Sequence, residues 1–231
     1  MKIVDKGKYN KDSELFGEAM NELYERYPDG ITLPPPYAFF VNEDFISFLI
    51  KLARYKFTAK LLKKTDRILE VGSGPGLGAI FLSQFCQHVT GLEIKTNEIE
   101  EARAMSKRDN VEFIQEDFFN LSEEHKYDAI VSLDVIEHLP MELGDKMVAK
   151  MAKHINNDGM LILGTPSIYS YPYQGAISQA SHVKCYDKQE LIQLIDQYFA
   201  RTISFSMNDE MVHTGHPKMA WYYFVVGFLP K

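Results

Sequence analysis

The stretch Asp66–Glu93, DRILEVGSGPGLGAIFLSQFCQHVTGLE, constrains what this chain can fold into more than any other. Ile68, Leu69 and Val71 form a short apolar run that reads as a buried strand. Glycines follow at 72, 74, 76 and 78, and the apolar spacing of a helix begins at Leu77, Ile80, Phe81 and Phe85. A second short strand, His88–Leu92, ends in an acid, Glu93. Glycines let a ligand approach the backbone because no Cβ stands in the way, and a helix start offers free N–H groups and a positive dipole end. An acid closing the next strand is placed to accept hydrogen bonds from both hydroxyls of a ribose. The stretch therefore predicts a site for an adenosine-type cofactor.

The rest of the chain supplies the elements such a sheet needs. Ser13–Tyr27 carries Leu15, Phe16, Met20, Leu23 and Tyr27 at helical spacing, and Pro28-Asp29-Gly30 stops it. The three successive prolines of ITLPPPYAFF predict an extended segment lying across a groove, neither helix nor central strand. Asn42 is then expected to cap a long helix over 43–63, which carries Arg54 and Tyr55. Residues 1–63 read as an N-terminal helical cap packed on a core domain of 64–231. Within that domain Thr96–Met105 is an exposed helix, Val111–Gln115 a third strand and Tyr127–Leu133 a buried fourth. Pro140 opens a helix with Leu143, Met147, Val148, Met151 and Ile155 on its core face. Asn157-Asp158-Gly159 ends it, and Met160–Leu163 is a fifth strand. The irregular stretch that follows, over 165–186, is too long for a plain connection and reads as a lid over a site. Asp187 and Glu190 open the last helix as a capping box. Arg201–Met211 and Lys218–Phe228 form a terminal hairpin around the turn-like HTGHP. The expected fold is α/β and Rossmann-like, a mostly parallel seven-stranded sheet with a C-terminal antiparallel hairpin.

With 231 residues, 45% of them hydrophobic, the chain can bury one full α/β core. A formal net charge of −7 disfavours a phosphate-backbone partner, so nucleic acid is not expected. Cys86 and Cys185 lie far apart without CxxC or Cys/His spacing and read as reduced thiols. The N-terminus lacks an apolar signal core and no run reaches the length of a membrane span, which predicts a cytoplasmic protein.

Two cofactor classes compete for the glycine-rich turn. A nicotinamide fingerprint G-x-G-x-x-G fails from Gly72, where Leu77 occupies the last position, and fits only when shifted to Gly74–Ala79. Glu70 discriminates better. A carboxylate beside the helix start would repel a pyrophosphate, whereas an amino-acid cofactor brings an ammonium that could use one. Leu69-Glu70-Val71-Gly72-Ser73-Gly74-Pro75-Gly76 resembles the first motif of the class I S-adenosylmethionine (SAM)-dependent methyltransferases. Glu93, with Ile94 beside it, resembles that family's ribose-binding acid. Asp117-Phe118 resembles the pair that meets the adenine amino group and packs on its ring. Leu133-Asp134-Val135-Ile136-Glu137-His138 resembles the motif that holds the methionine part and borders the methyl group. The resemblance implies SAM as cofactor and S-adenosylhomocysteine as product, with Arg54, Glu70, Gly72, Ser73, Gly74, Gly76, Glu93, Ile94, Asp117, Phe118, Leu133, Asp134 and His138 at the cofactor.

A narrower likeness is carried by Leu52-Ala53-Arg54-Tyr55-Lys56-Phe57, Gly164-Thr165-Pro166-Ser167, Ser181-His182-Val183, Ser206-Met207-Asn208-Asp209-Glu210 and His213-Thr214-Gly215. These look like a bacterial methyltransferase group associated with cell-surface polysaccharide and lipopolysaccharide biosynthesis. That likeness implies that Arg54 pairs with the cofactor carboxylate, as suits a guanidinium fork.

Methyl transfer from a sulfonium is an in-line displacement, and a hydroxyl nucleophile needs a base. Histidines expected near the carboxyl edge of the sheet are His138, His182, His213 and His216. His182 is the first choice as base, with His213 and His138 behind it. His216 reads as a turn residue, and His88, His125 and His154 as surface positions. Tyr169, Tyr171 and Tyr173 either line an acceptor pocket or anchor the loop. No Asn/Asp-Pro-Pro-Tyr follows the fourth strand, which disfavours methylation of nucleobase amines, and no paired spacing such as His-x-x-x-His predicts a metal. The expected activity is methyl transfer to a small-molecule or glycan-type acceptor at oxygen. Nitrogen as the acceptor atom and a catalytically silent SAM-binding or partner-binding domain are the alternatives. A Tyr/Trp-rich last strand offers an edge for homodimer pairing.

Overall fold

The computed structural model describes residues 11–231. Helix α1 (Lys11–Arg26) belongs to a compact unit that ends at Pro35, and everything from Pro36 onward forms the second unit. Helix α3 (Phe45–Ala59) lies in the second unit. The triple proline does not stay extended. Pro35 and Pro36 open α2 (Pro35–Glu43), because a missing N–H costs nothing in a helix's first turn. The expected long helix is broken at Asp44, whose carboxylate accepts from Ser47 N–H and caps α3, so Asn42 is not the cap.

The second unit is built on an eight-stranded sheet rather than the seven expected. The strands are β1 (Arg67–Val71), β2 (His88–Glu93), β3 (Val111–Gln115), β4 (Tyr127–Leu133), β5 (Ile155–Pro166), β6 (Phe199–Asn208), β7 (Met211–His213) and β8 (Tyr222–Pro230), in spatial order β3-β2-β1-β4-β5-β8-β6-β7. The first five positions are parallel, and β8, β6 and β7 continue the sheet antiparallel. The extra strand is β7, three residues that fold back on Ser206–Asn208 inside the expected hairpin turn. Strand β5 begins directly where α6 (Met141–His154) ends, and a register shift between Tyr127 and Ala129 absorbs Asn156–Gly159.

Alternation along the central strands fills both faces. Leu69, Ile130 and Leu161 join α6 and α8 (Lys188–Tyr198) in one core, while Ile68, Val131 and Ile162 join α3, α4 (Leu77–Leu82) and α5 (Thr96–Met105) in the other. Burial on both faces explains why β4 reads as a continuous apolar run. The 165–186 stretch is ordered as a short helical turn at Tyr171–Tyr173 and a helix, α7 (Ala176–Ser181). Asp187 caps α8 by accepting from Gln189 N–H, and Glu190 pairs with Lys184 instead of completing a capping box.

After β3 the chain crosses to the far side of β1 and enters the sheet as β4. This reversal opens a crevice outside the carboxyl ends of β1 and β4, the place where open α/β sheets bind ligands.

Candidate functional site

The Gly72–Gly76 turn leaves β1 at that crevice. Gly72, Gly74 and Gly76 take φ values of +75°, +52° and +87°, a left-handed run that side chains resist. The two outer glycines are also tightly enclosed. A Cβ on Gly72 would stand 2.4 Å from Val135 Cγ2, and one on Gly76 would stand 2.7 Å from both Ala102 and the Phe113 ring. Gly74 is open apart from Glu98 Oε2.

Glu93 closes the turn from β2. One oxygen accepts from Gly74 N–H at 3.2 Å, the other from Ile94 and Lys95 N–H at 2.9 and 3.1 Å. Ile94 beside it is exposed. Ser73 is buried with its hydroxyl unpartnered and facing Gly91. Asp117 accepts from Phe119 N–H at 2.9 Å and holds the turn in which Phe118 is buried.

Glu70 lies behind the turn, only 1% exposed, with Tyr55 and the first turn of α4 packed around it. Burial pushes its carboxyl up to about 8, against the opposing effect of the Tyr55 hydroxyl and Lys51. One of its oxygens has no partner. Above the turn, the Tyr37 hydroxyl of α2 accepts from Leu77 N–H at 3.3 Å, taking one of the helix's free donors.

The opposite bank follows β4. Leu133 is buried, and Asp134 adopts φ +59°, a left-handed conformation that aspartate reaches more readily than most side chains. The carboxylate is held by Arg54. Its Nη1 lies 2.8 and 2.6 Å from the two Asp134 oxygens, and its guanidinium stacks 4.0 Å over the Tyr222 ring. Burial alone would raise Asp134, but the Arg54 charge outweighs it and holds the carboxyl below its usual range. Arg54 Nε is buried and free.

Beyond Asp134 the chain turns through Glu137 and His138. Glu137 is fully buried, with one oxygen on the Thr165 hydroxyl at 3.0 Å and the other unpartnered. Burial, with the Asp134 charge added, pushes it up to about 8. The loop comes back over this turn, because Val183 and Lys184 N–H both donate to the Glu137 carbonyl at 2.7 and 3.0 Å. His182 is thereby set against His138, ring centroids 5.1 Å apart. Burial, then the neighbouring His138, lowers its basicity. A pocket of about 660 Å³ opens here, lined among others by Arg54, Asp134, Glu137, His138, His182 and Trp221. A second cavity of about 800 Å³ lies at the other ends of β1 and β4, against Asp66, Lys126 and Asp128, away from all of these groups.

Of the histidines expected at the site, the fold gathers His138 and His182. His213 sits in β7, its Nδ1 accepting from Gly215 N–H, and does not line the pocket. His154 is not a surface residue; it is buried, with Nδ1 at 2.8 Å from the His125 carbonyl. Tyr173 lines the pocket, whereas Tyr169 and Tyr171 anchor the loop through Asp187 and Gln179. Both cysteines are unpaired. Sequence reasoning missed Tyr37, Glu137 and Tyr222. Glu137 stood inside a quoted motif, while Tyr37 and Tyr222 had no local signal.

Comparison with known proteins agrees with this geometry. Residues 68–159 match the family model described as "Methyltransferase domain". The ubiquinone biosynthesis O-methyltransferase of Rickettsia conorii is 34% identical over 100 residues, covering 42% of this chain and 34% of that protein. The phosphoethanolamine N-methyltransferase of Plasmodium falciparum is 28% identical over 131 residues, covering 55% of this chain and 49% of that protein. The matches thus span half or less of these relatives. Among solved structures, a SAM-dependent methyltransferase of Thermotoga maritima, described as a possible histamine N-methyltransferase, superposes with a TM-score of 0.65 at 16% identity. It covers 90% of this chain and 98% of its own. The N-methyltransferase NodS of Bradyrhizobium japonicum in complex with S-adenosylhomocysteine gives 0.60 at 15% identity, with 91% and 98% covered. The fold is the Rossmann-like class I methyltransferase fold, and the residues that match the family model run through the crevice.

Proposed function

We propose that this protein transfers a methyl group from SAM to the oxygen of a small, hydroxylated acceptor, glycan-type compounds included. The observation that carries the reading is the left-handed glycine turn at the β1/β4 crevice, closed by the Glu93 carboxylate. Bare backbone on one side and a carboxylate at the end of β2 suit a nucleoside whose ribose hydroxyls would bond Glu93. Asp117 and Phe118, with the exposed Ile94, would border the adenine. Glu70 would act from behind, keeping Tyr55 and the start of α4 in place. The amino-acid end of the cofactor would reach Arg54. Both Asp134 contacts use Nη1, so Nη2 is left for a carboxylate.

The reaction moves the methyl carbon in line from sulfur to the acceptor oxygen, and the sulfonium charge disappears as the bond to sulfur breaks. Aligning the two groups in an enclosed pocket supplies much of the rate. The acceptor proton leaves at the wall formed by Glu137, His138 and His182. His182 is the first candidate to take it, because its lowered basicity leaves a neutral imidazole at pH 7. The loop over 165–186 would cover the acceptor. The likeness to the polysaccharide-associated group supports a glycan-type acceptor. Among the described residues no helix is long and apolar enough to cross a membrane.

Calorimetric titration of the full chain tests the cofactor. S-adenosylhomocysteine should bind saturably while NAD does not, and transfer of labelled methyl into hydroxylated fractions of a cell extract should follow. Saturable NAD binding with no heat from S-adenosylhomocysteine would end the proposal. Tight cofactor binding with no labelled acceptor would leave a silent binding domain.

A further inference from the structure

Glu137, His138 and His182 place one potential ligand atom each within 4.8 Å of one another. Their arrangement is unusual for a cluster that only packs. Glu137 is fully buried, yet one of its carboxylate oxygens has no hydrogen-bond partner, and the enclosed His182 Nδ1 has none either. Buried polar atoms are rarely left this way without a ligand or water. His138 is oriented from outside the cluster. Its Nδ1 lies 3.0 Å from the Ser181 carbonyl, which can only accept, so Nδ1 carries the proton and Nε2 keeps a free lone pair. A backbone carbonyl that fixes the tautomer in this way is the usual outer support of a ligating imidazole.

We propose that these three side chains bind a divalent transition-metal ion of the zinc or cobalt class at the wall of the pocket. Two imidazole nitrogens and one carboxylate suit such an ion, whereas magnesium and calcium prefer all-oxygen surroundings. Bonds of about 2.1 Å put tetrahedral ligands about 3.4 Å apart, so the three groups close by no more than about 1.4 Å on binding. The exposed His138 and the loop-borne His182 are the movable members. Nearby charge does not oppose the ion, because the Arg54 guanidinium is already neutralised by Asp134. Three protein ligands leave at least one position open toward the pocket.

Ion binding stands on the cluster alone. Its use in the reaction rests on the methyl-transfer reading: an acceptor hydroxyl in the open position would lose its proton to solvent through coordination, and a free imidazole base would not be needed. The ion would then supply what His182 supplies in the metal-free form.

The test uses the full chain stripped with chelator and titrated with Zn²⁺ and with Co²⁺. One ion per chain is expected, and the cobalt form should show the visible absorption of a low-coordinate nitrogen-ligated site. His182→Asn and His138→Gln should each weaken binding roughly tenfold or more, while His216→Asn, in the exposed turn, should leave it unchanged. Circular dichroism and S-adenosylhomocysteine titration of the chelated variants report whether the fold and the cofactor site survive. Failure to bind S-adenosylhomocysteine with ion binding intact would defeat the function and spare this site. No saturable ion binding, or binding that the two histidine variants leave untouched, would overturn it, and the cluster would then be a hydrogen-bonded carboxyl–imidazole group.

Discussion

At the carboxyl end of β1 the chain offers backbone; at the carboxyl end of β4 it offers side chains. The glycine turn has little to rearrange. Gly72 and Ser73 N–H are held by the Leu92 carbonyl, Gly74 N–H by Glu93 and Leu77 N–H by Tyr37. Across the crevice, Arg54, Glu137 and His182 each keep a buried polar atom unpartnered. A bank made of backbone is fixed by sterics and binds whatever fits its shape. A bank made of orphaned side chains is chemically open, and small changes in charge or protonation will alter it. The two should therefore respond differently to substitution.

The largest response is expected on the side-chain bank. Arg54→Met leaves Asp134 a half-buried, unpaired carboxylate in a left-handed backbone conformation, and should cost about 3 kcal/mol in urea unfolding, the low end of the range for a broken buried pair. The double variant Arg54→Met/Asp134→Asn should recover part of that loss, because no stranded charge remains. Equal losses in single and double variants would show that the pair contributes packing and not charge.

On the backbone bank, Gly76→Ala tests sterics. Its φ of +87° and the 2.7 Å approach to Ala102 and Phe113 give an added methyl nowhere to go. A loss of about 2–4 kcal/mol is expected from strain and overpacking together. Gly74→Ala, with only the movable end of Glu98 nearby, should cost less by the packing share, about 1–3 kcal/mol less. Equal costs would mean that left-handed strain alone governs the turn.

These two banks also differ in how far the sequence revealed them. β1, the glycine turn, β2 and Glu93 are contiguous, and strand period, glycine spacing and a terminal acid all report on the same local geometry. The opposite bank is assembled across the chain: Arg54 from α3, Asp134 to His138 after β4, His182 from a loop, Tyr222 from β8. No spacing rule joins Glu137 and His138 to His182, so a search for paired ligands in the sequence finds none. The triple proline reads as extended because proline at a helix start and proline in an extended run look alike until the following residues are placed. The eighth strand is not legible because β7 has only three residues and pairs inside what reads as a turn. His154 reads as a surface position in the sequence, and only packing against Phe118 and the His125 carbonyl shows it to be buried.

Glu70 sits under the backbone bank and makes that bank pH-sensitive. Its carboxyl is raised to about 8 by burial, and the groups around it are Tyr55 and Lys51 of α3 and Tyr37 of α2. The folded state holds a proton that the unfolded chain releases above its ordinary carboxyl value. That stabilisation is complete in acid below about 4.5 and is lost as the pH rises through about 8. Glu70→Gln keeps a neutral, hydrogen-bonding group of the same shape. The variant should be the more stable of the two at pH 8 by roughly 2–4 kcal/mol, with the difference vanishing toward pH 4.5. A difference that does not change between those pH values would place the charge-sensitive group elsewhere.

The smallest expected effect falls on the one side chain that reaches the turn from above. Tyr37→Phe removes the acceptor for Leu77 N–H and nothing else, since the ring stays packed against Phe48. At 3.3 Å the bond is long, and its loss should cost about 0.5–1 kcal/mol. The diagnostic reading is local: amide exchange at Leu77 should quicken while exchange at Ile80, bonded to the Gly76 carbonyl within the helix, keeps its rate. If both quicken together, Tyr37 holds the whole first turn of α4 in place. The backbone bank would then depend on a side chain after all, and its contrast with the opposite bank would be one of degree.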